Sequence, residues 1–315
     1  MEWKNKRALV TGGAGFIPSH VVDALVTRGA DVTVIDSLQA GKMENLSDAM
    51  EHIRFIEGDI RDDETVMKAV RGEDVVFHLA ANASVPNSFE NPRYDFETNA
   101  LGSFNVLEAA RLQGVGKVVY ASSAAVYGEP KYVPVDESHP LEPCSFYGLS
   151  KLTGEREGFM YRDMYGLGFT AIRIFNTYGP RQPRYVMADL LRKLRNNPHE
   201  LEVLGDGTQV RDYSYVSDTA EAIVSAAEND AMLGEAYNVA GGNPISIRDL
   251  VSLMLDTLDL KDTKVHYTGQ SWKGDITRLM ANIGKIRAVG FQPKVSLEDG
   301  IREMIEWFQG LEMNR

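Results

Sequence analysis

The amino-acid sequence predicts an α/β protein with a doubly wound parallel sheet and a smaller C-terminal α/β lobe that binds substrate. Three observations carry this prediction. Short apolar runs rich in β-branched residues alternate with amphipathic segments up to residue 175, a glycine-rich loop follows the first run, and the alternation then changes. Near-continuous apolar strands separated by helices are typical of a parallel sheet that is covered on both faces.

The alternation places the elements of the first part in order. The predicted strands are residues 8–10, 31–35, 53–56, 74–78, 117–120 and 169–174. The predicted helices between them include residues 19–28, 62–70, 103–113 and 151–161. We therefore expect residues 1–175 to form one sheet domain.

In the second part of the chain, the sequence predicts helices and one strand that rejoins the sheet. The helices are expected at residues 186–195, 218–228, 248–257 and 298–309, and the strand at residues 236–239. No linker or repeat separates this part from the first. We expect a return segment at about 212–240 to complete the sheet domain, with residues 176–211 and 241–315 forming the lobe.

Composition excludes several classes of protein. The chain has 315 residues, 43% hydrophobic and 25% charged, which is ordinary for a globular protein. A net charge of -12 argues against nucleic-acid or anionic-membrane partners, because both require clustered cations. The apolar runs are far shorter than the ~20 residues of a membrane span. The first strand begins too early for a signal peptide, so we expect a cytoplasmic location.

A single cysteine, Cys144, excludes an internal disulfide and fits a reducing compartment. No base or metal-ligand pattern surrounds it, so we interpret it as a bystander thiol. No metal site is predicted.

The loop from Thr11 to His20 reads TGGAGFIPSH and joins the first strand to a helix. Gly12 and Gly15 would let the backbone turn tightly and approach a pyrophosphate at the positive end of that helix. Asp36 ends the second strand, where a carboxylate accepts from ribose hydroxyls and repels a 2′-phosphate. We therefore predict NAD rather than NADP, an ordinary strand–helix turn being the alternative.

A second group of residues carries chemistry. Tyr147 and Lys151 are four positions apart on a predicted helix, so their side chains share one face. An ammonium near a phenol is expected to lower the pKa of the phenol and make it a general base. Ser123 ends the fifth strand, and strand ends converge on the ligand crevice of such a sheet, so it is expected to meet Tyr147.

The ordered set of these stretches resembles the extended short-chain dehydrogenase/reductases, specifically the NAD-dependent sugar epimerase/dehydratase family. Within it the chain is most similar to UDP-glucose/UDP-galactose 4-epimerases. The similarity covers nearly all of the chain. The further matching stretches are Asp59-Ile60, His78 to Ala81, Asn99, Ser122-Ser123, Asn176 to Arg181 and Gly205 to Asp212.

The resemblance implies a set of site residues. The catalytic residues would be Tyr147, Lys151 and Ser123. The cofactor-binding residues would be Gly12, Gly15, Phe16, Ile17, Asp36, Asp59, Ile60, Leu79, Ala80, Ala81, Asn99, Tyr147 and Lys151. The substrate contacts would include Ser84, Ser123, Tyr147, Asn176 and Arg211. A Rossmann domain, a nucleotide-diphosphate sugar substrate and a homodimer are implied as well. Asp59 as a helix cap and Arg211 as a salt-bridge partner of Asp212 or Asp218 remain open alternatives.

The chain departs from the family pattern at three places, one of which is the stretch after Arg181: it is shorter than usual, so substrate contacts between Gln182 and Leu191 are not assigned. Pro18 replaces the third glycine of the loop, which removes one N–H near the phosphate site. Trp272 stands where the family usually has an arginine that grips the diphosphate. Lys273 or Arg278 is hypothesised to substitute for that arginine. Leu279 lies where some epimerases have a tyrosine, so space for a 2-N-acetyl group is expected.

The reaction expected from the resemblance is 4-epimerisation of a nucleotide sugar. Family dehydratases carry an Asp-Glu pair after the catalytic hydroxyl residue, whereas this chain has Ala124 and Ala125. Alanine cannot shuttle a proton, so 4,6-dehydration is disfavoured. Another NAD-dependent nucleotide-sugar oxidoreductase, such as a decarboxylase, reductase or dehydratase, is the alternative. A non-enzymatic NAD-sensing protein is the third reading.

Overall fold

The strands of the computed structural model, which describes residues 2–270 and 276–313, fall in three sheets. They are β1 (Arg7–Thr11), β2 (Asp31–Asp36), β3 (Ile53–Glu57), β4 (Val75–His78), β5 (Lys117–Ser123), β6 (Gly168–Ile174), β7 (Asn176–Tyr178), β8 (Glu200–Val203), β9 (Val210–Tyr215), β10 (Ala236–Val239), β11 (Pro244–Ser246), β12 (Lys264–Tyr267) and β13 (Arg278–Leu279). The order β3-β2-β1-β4-β5-β6-β10 makes a parallel seven-stranded sheet. The predicted Rossmann-type sheet is confirmed.

The helices of the described residues either cover the two faces of this sheet or pack in the second part of the chain. They are α1 (Phe16–Thr27), α2 (Asp63–Val70), α3 (Val85–Glu90), α4 (Pro92–Phe96), α5 (Gly102–Gln113), α6 (Phe146–Tyr165), α7 (Val186–Asn196), α8 (Val216–Glu228), α9 (Ile247–Thr257), α10 (Gly284–Ala288) and α11 (Leu297–Met313). Alternate strand residues face opposite cores. Val10 packs with α1 and α8, while Leu9 packs with α2, α5 and α6. This alternation is why the strands are apolar throughout.

Local sequence signals fix where the key helices begin and end. Asp62 accepts hydrogen bonds from the second and third N–H groups of α2. Ser145 caps α6 by accepting from Gly148 N at 3.0 Å. Gly114 and Gly166 end α5 and α6 in the left-handed conformation, with φ of 71° and 73°. The α6 cap matters most, because it sets the rotation of the helix that carries Tyr147 and Lys151.

The second part of the chain builds a separate apolar cluster. β9 pairs with β7, β11 and β13, and β8 pairs with β12. Tyr178, Leu191, Tyr215, Leu250 and Met304 are among the buried residues of this cluster. The predicted strand at 236–239 leaves this part and joins the edge of the central sheet as β10. The exact division into domain and lobe stays a prediction.

The region between β4 and α5 contains helical elements that the sequence analysis did not predict. Residues 85–101 form two short helices and a π-helical turn at Glu97–Leu101 before α5 begins. The predicted helix at 103–113 is present as α5, and the wider π-helical turn directly precedes it. π-Helical turns are frequent at functional sites, and this one carries Asn99.

Candidate active site

The glycine-rich loop lies between β1 and α1. Gly12 has a φ of 70°, and a Cβ there would lie 2.8 Å from the Ala80 Cα, so a side chain is excluded. Gly15 N donates to Gly12 O at 2.9 Å, and α1 begins at the next residue. The N–H groups of Phe16 and Ile17 thus lie in the first turn, at the positive end of the helix. A pyrophosphate fits such a turn.

Pro18 is the third residue of α1 and does not interrupt it. The first helical hydrogen bond runs from Ser19 N to Gly15 O at 3.2 Å, behind the proline. The missing N–H is therefore one that the helix does not use. The effect of Pro18 on cofactor affinity stays a prediction.

Asp36 lies at the end of β2 and is 7% exposed. Its Oδ1 accepts from Leu38 N at 2.8 Å and its Oδ2 from Ala14 N at 3.0 Å. Burial raises the pKa of this carboxyl, and the two backbone hydrogen bonds oppose that rise. Each oxygen keeps a further lone pair for a ribose hydroxyl. The ribose contact itself stays a prediction.

Asp59 forms a two-point ion pair with Arg61, at 3.0 Å (Nε to Oδ1) and 2.7 Å (Nη2 to Oδ2). These hydrogen bonds hold the pKa of Asp59 below its usual value. The cap of α2 is Asp62, so the alternative that Asp59 caps this helix is wrong. Ile60 is buried beside Gly102. Contacts of Asp59 and Ile60 with adenine stay predictions.

A buried polar chain behind the loop was not predicted. His78 lies 2.9 Å from Thr11 Oγ1 through Nδ1, and 2.9 Å from Ser103 Oγ through Nε2. Thr11 Oγ1 also accepts from the backbone N–H groups of Leu79 and Ala80, each at 3.0 Å. Burial lowers the pKa of His78 to about 3, so the ring is neutral. This hydrogen-bond network therefore holds in place the backbone of Leu79 and Ala80, which were predicted to bind the cofactor.

Asn99 continues this chain on the π-helical turn. Its Oδ1 accepts from Asn82 N at 2.8 Å, and its Nδ2 donates to Asn82 O at 3.2 Å. Nδ2 also lies 3.0 Å from Oδ1 of Asp95. Asn99 is 1% exposed, and its side-chain amide hydrogen-bonds both the N–H and the carbonyl of Asn82, the residue after Ala81. Its direct role toward a cofactor stays a prediction.

The three predicted catalytic residues converge where β5 ends and α6 begins. Ser123 is the last residue of β5, and its side chain lies close enough to Tyr147 to lower the pKa of that phenol. Lys151 lies one turn further along α6, with Nζ 4.4 Å from the centroid of the Tyr120 ring. Lys151 is 2% exposed, whereas Tyr147 is partly exposed. The phenol and the serine hydroxyl therefore reach the cleft, and the ammonium lies beneath them.

The expected charge state of the phenol requires a correction. Burial raises the pKa of Tyr147, and the nearby Ser123 side chain only partly offsets this rise. Burial also lowers the pKa of Lys151 to about 7. The prediction that Lys151 brings the Tyr147 pKa down is wrong for the protein alone, because desolvation outweighs the neighbouring charge.

The substrate side is formed by β7, β9 and β13. The buried Nδ2 of Asn176 has no hydrogen-bond partner among the described protein groups. Arg211 on β9 donates to Val210 O at 2.9 Å, and Arg278 lies opposite Val210 on β13, exposed. Lys273 lies outside the described residues. The roles of these four residues toward a diphosphate stay predictions.

The two acids proposed as alternative partners of Arg211 have backbone partners. Asp212 accepts from Gly242 N at 2.8 Å. Asp218 accepts from Lys294 N and Val295 N, each at 3.0 Å. Both carboxylates thus tie loops of the lobe together.

Ser84 begins α3, and its Oγ accepts from Asn87 N at 3.3 Å. The carbonyl before it, that of Ala83, accepts from Arg184 Nη2 at 2.8 Å and from the Tyr185 hydroxyl at 2.6 Å. Arg184 and Tyr185 both influence the pKa of Tyr147, so this segment lies close to the catalytic phenol. Both residues fall between Gln182 and Leu191, where the family resemblance assigns no contacts. Their side chains were missed because only the folded chain brings them across the cleft.

No cluster of His, Cys, Asp and Glu suited to a metal ion occurs within residues 2–270 and 276–313. In the same part of the chain, no helix combines the length and apolar character that a membrane span requires. Cys144 is an exposed free thiol.

Comparison with known proteins places this geometry in a family. The family model described as GDP-mannose 4,6 dehydratase matches residues 9–304. A putative UDP-glucose 4-epimerase of Methanocaldococcus jannaschii is 37% identical over 307 residues, covering 96% of this chain and 98% of the relative. A UDP-N-acetyl-alpha-D-glucosaminuronate decarboxylase of Bacillus cytotoxicus is 33% identical over 98% of this chain and 99% of the relative.

Solved structures agree on the fold and differ in reaction. The UDP-N-acetylglucosamine 4-epimerase of Methanobrevibacter ruminantium, in complex with UDP-N-acetylmuramic acid, is 36% identical with a TM-score of 0.92, covering 98% of this chain and 99% of that chain. A dTDP-glucose 4,6-dehydratase of Streptomyces venezuelae with NAD bound is 35% identical with a TM-score of 0.90, covering 96% and 97%. NAD is the cofactor of the family, and the loop described above suits it. The chain belongs to the extended short-chain dehydrogenase/reductases, among the NAD-dependent enzymes that epimerise, dehydrate or decarboxylate nucleotide sugars.

Proposed function

We propose that the protein is a nucleotide-sugar 4-epimerase that acts on UDP-glucose/UDP-galactose or on the N-acetylated pair. The observation that carries the proposal is the cluster of Ser123, Tyr147 and Lys151, in which two alanines directly follow Ser123 in the sequence. Ala124 and Ala125 have no group that could remove a proton from C5 or protonate the departing C6 hydroxyl. The cluster therefore suits proton exchange at one hydroxyl.

Each protein group has one task in this reaction. The chemistry that NAD supplies when bound is reversible acceptance of a hydride from C4 of the sugar. Tyr147 takes the proton of the 4-hydroxyl as that hydride leaves, so the sugar becomes a 4-ketone. Ser123 holds the same oxygen by a hydrogen bond. Once the sugar has turned, its other face would be presented to bound NAD, and Tyr147 gives its proton back to the 4-oxygen.

The charge state of the site fits this cycle. The phenol is neutral in the protein alone, because burial raises its pKa. The positive charge of an oxidised nicotinamide favours the phenolate, as does a protonated Lys151. Tyr147 would therefore act as a base most readily with both positive charges beside it.

The N-acetylated pair is supported by Leu279 on β13. This side chain is shorter than a tyrosine and lies opposite Arg211 in the strand register. The similar UDP-N-acetylglucosamine 4-epimerase supports the same direction. Equal or weaker binding of UDP-N-acetylglucosamine than of UDP-glucose would contradict it.

Product analysis tests the reaction. The purified protein is incubated with UDP-galactose and UDP-N-acetylgalactosamine, without added NADH, and the sugars are separated by chromatography. Interconversion at C4 is expected. A 4-keto-6-deoxy sugar would instead identify a dehydratase, and loss of carbon dioxide from a uronic acid substrate would identify a decarboxylase. NAD binding without turnover of any nucleotide sugar would favour a sensor.

Tyr147→Phe tests the assigned base. We expect the rate to fall by roughly 10²- to 10⁴-fold, since the proton acceptor is removed, with NAD affinity retained. Tyr165→Phe on the same helix removes an exposed phenol and should leave the rate unchanged. Full activity of Tyr147→Phe would refute the assignment.

We also propose a homodimer formed through α5 and α6. Large apolar side chains are exposed along these helices and the turn before them. They are Phe96, Leu101, Phe104, Leu112, Phe146, Leu149, Met160 and Met164. Such a face is typical of a protein–protein interface. Sedimentation equilibrium should give twice the chain mass of 34.9 kDa, and the monomer mass at micromolar concentration would contradict the proposal.

A further inference from the structure

Asp95 is a buried acid next to the catalytic helix to which the proposed mechanism assigns no task. It lies on α4 and is 1% exposed. Its Oδ2 accepts from Ser150 Oγ at 2.5 Å, and its Oδ1 accepts from Asn99 Nδ2 at 3.0 Å and from Asn82 Nδ2 at 3.3 Å. Three neutral donors thus surround the carboxylate. Burial raises the pKa of Asp95, and the hydrogen bonds from Ser150 and Asn82 and the Lys151 charge oppose that rise. Three donors suit the ionised form, which can only accept.

These contacts join Asp95 to the catalytic residues on two sides. Ser150 directly precedes Lys151, and its hydroxyl also lies 2.8 Å from Phe146 O in the first turn of α6. Asn99 clamps Asn82, beside the predicted cofactor residue Ala81. A shift of Asp95 would therefore move both the catalytic helix and the segment after β4.

The other charged or titratable groups around Lys151 are already matched or neutral. Glu155, one turn further on α6, forms a buried ion pair with Arg173. On β4, His78 is neutral, and on β5 the pKa of Tyr120 is raised well above its usual value by burial. On α6 itself, Tyr147 is neutral for the same reason.

We propose that Asp95 is a positioning residue, whose buried carboxylate holds the helix of Lys151 through Ser150 and supplies negative charge near the ammonium without a direct ion pair. The proposal rests on the proposed function only for its effect on turnover. Burial lowers the pKa of Lys151 to about 7, and the charge of Asp95 opposes that fall, as does to a smaller extent that of Glu155. Asp95 thereby keeps the ammonium protonated near neutral pH, where it supports the Tyr147 phenolate.

Asp95→Asn separates charge from shape. The amide oxygen can still accept from Asn82 and Asn99. The new NH₂ group can donate to Ser150 Oγ, which then donates to Phe146 O. Every hydrogen bond therefore has a replacement, and only the negative charge is lost.

The first measurement needs no substrate. Protein labelled with ¹³Cε-lysine and saturated with NAD is titrated by NMR, and the Lys151 signal is assigned by its absence in Lys151→Met. Loss of the negative charge should lower the Lys151 midpoint by about one pH unit. Asp163→Asn, which removes an exposed charge from the same helix, should leave it in place. An unchanged or higher midpoint in Asp95→Asn would overturn the proposal.

Two further comparisons keep the test decisive. Ser150→Ala keeps the carboxylate and should shift the midpoint less than Asp95→Asn does. If Asp95→Asn does not fold, Asp95→Ser also lacks the charge and should give the same fall.

The pH profile of turnover connects the result to function. Asp95 also raises the pKa of Tyr147, so its loss should move both limbs of the profile toward lower pH. A merely structural role would reduce the rate without moving the limbs. If the NMR midpoint falls but no nucleotide sugar is epimerised, Asp95 keeps its role toward Lys151 and the proposed function fails alone.

Discussion

The two sides of the catalytic cleft differ in how their polar groups are satisfied. On the sheet side, Thr11, His78, Ser103 and Asn99 form a continuous chain of hydrogen bonds within the protein. On the lobe side, described residues include buried polar atoms with no protein partner, among them Asn176 Nδ2. A buried polar group without a partner is destabilising. The sheet side is therefore set for chemistry in advance, and the lobe side suits partners that a ligand brings.

On the lobe side these atoms are Asn176 Nδ2, Gln182 Oε1, Gln209 Oε1 and Asp212 Oδ2. Glu73 Oε2, Thr98 Oγ1 and Glu157 Oε2 of the sheet domain also lack a partner, but none of them belongs to the hydrogen-bonded chain from Thr11 to Asn99. Asn176 was assigned to the nucleotide diphosphate by family resemblance. Its orphaned donor is the kind of group that a phosphate oxygen would satisfy.

The largest expected effect comes from breaking a network on the sheet side. Glu155 Oε2 accepts from Ser122 Oγ at 2.8 Å and from Arg173 Nε at 3.1 Å, in a pair that is almost fully buried. Glu155→Gln leaves the Arg173 charge without a counter-ion. We expect the free energy of unfolding to fall by about 3–5 kcal/mol, measured by urea denaturation.

The matched control is Glu64→Gln, which removes an exposed partner of Lys68. No measurable change in the free energy of unfolding is expected, because solvent screens such pairs. If the free energy of unfolding fell no more in Glu155→Gln than in this control, the buried network on the sheet side would not stabilise the fold as proposed.

The smaller effect is expected on the lobe side. Asn176→Ala deletes a donor that has no protein partner, so stability should change by less than about 0.5 kcal/mol. Affinity for the nucleotide sugar should fall by roughly 10- to 100-fold, as for one hydrogen bond to a charged group. Calorimetry with UDP-sugar, beside a urea titration, measures both quantities. Unchanged affinity combined with lost stability would reverse the comparison.

Much of the sheet domain could be predicted because its signals are local. The strands from Arg7 to Ile174 are contiguous apolar runs, and caps such as Ser145 act within one turn of helix. The short strands of the lobe were missed because their partners are distant in sequence. β9, for example, pairs with β7, β11 and β13, and these three partners have only two or three residues each, too few to carry a periodicity of their own.

The sequence by itself determined the type of sheet, the glycine loop and the identity of the three catalytic candidates, since each rests on residue type and spacing along the chain. Only the tertiary structure decided their charge states and neighbours. Burial, not the adjacent lysine, governs the pKa of Tyr147, and burial arises from segments distant in sequence. The place of Asp95 beside α6 and of Tyr185 across the cleft was likewise decided by folding, because contacts between distant segments leave no spacing rule in the chain.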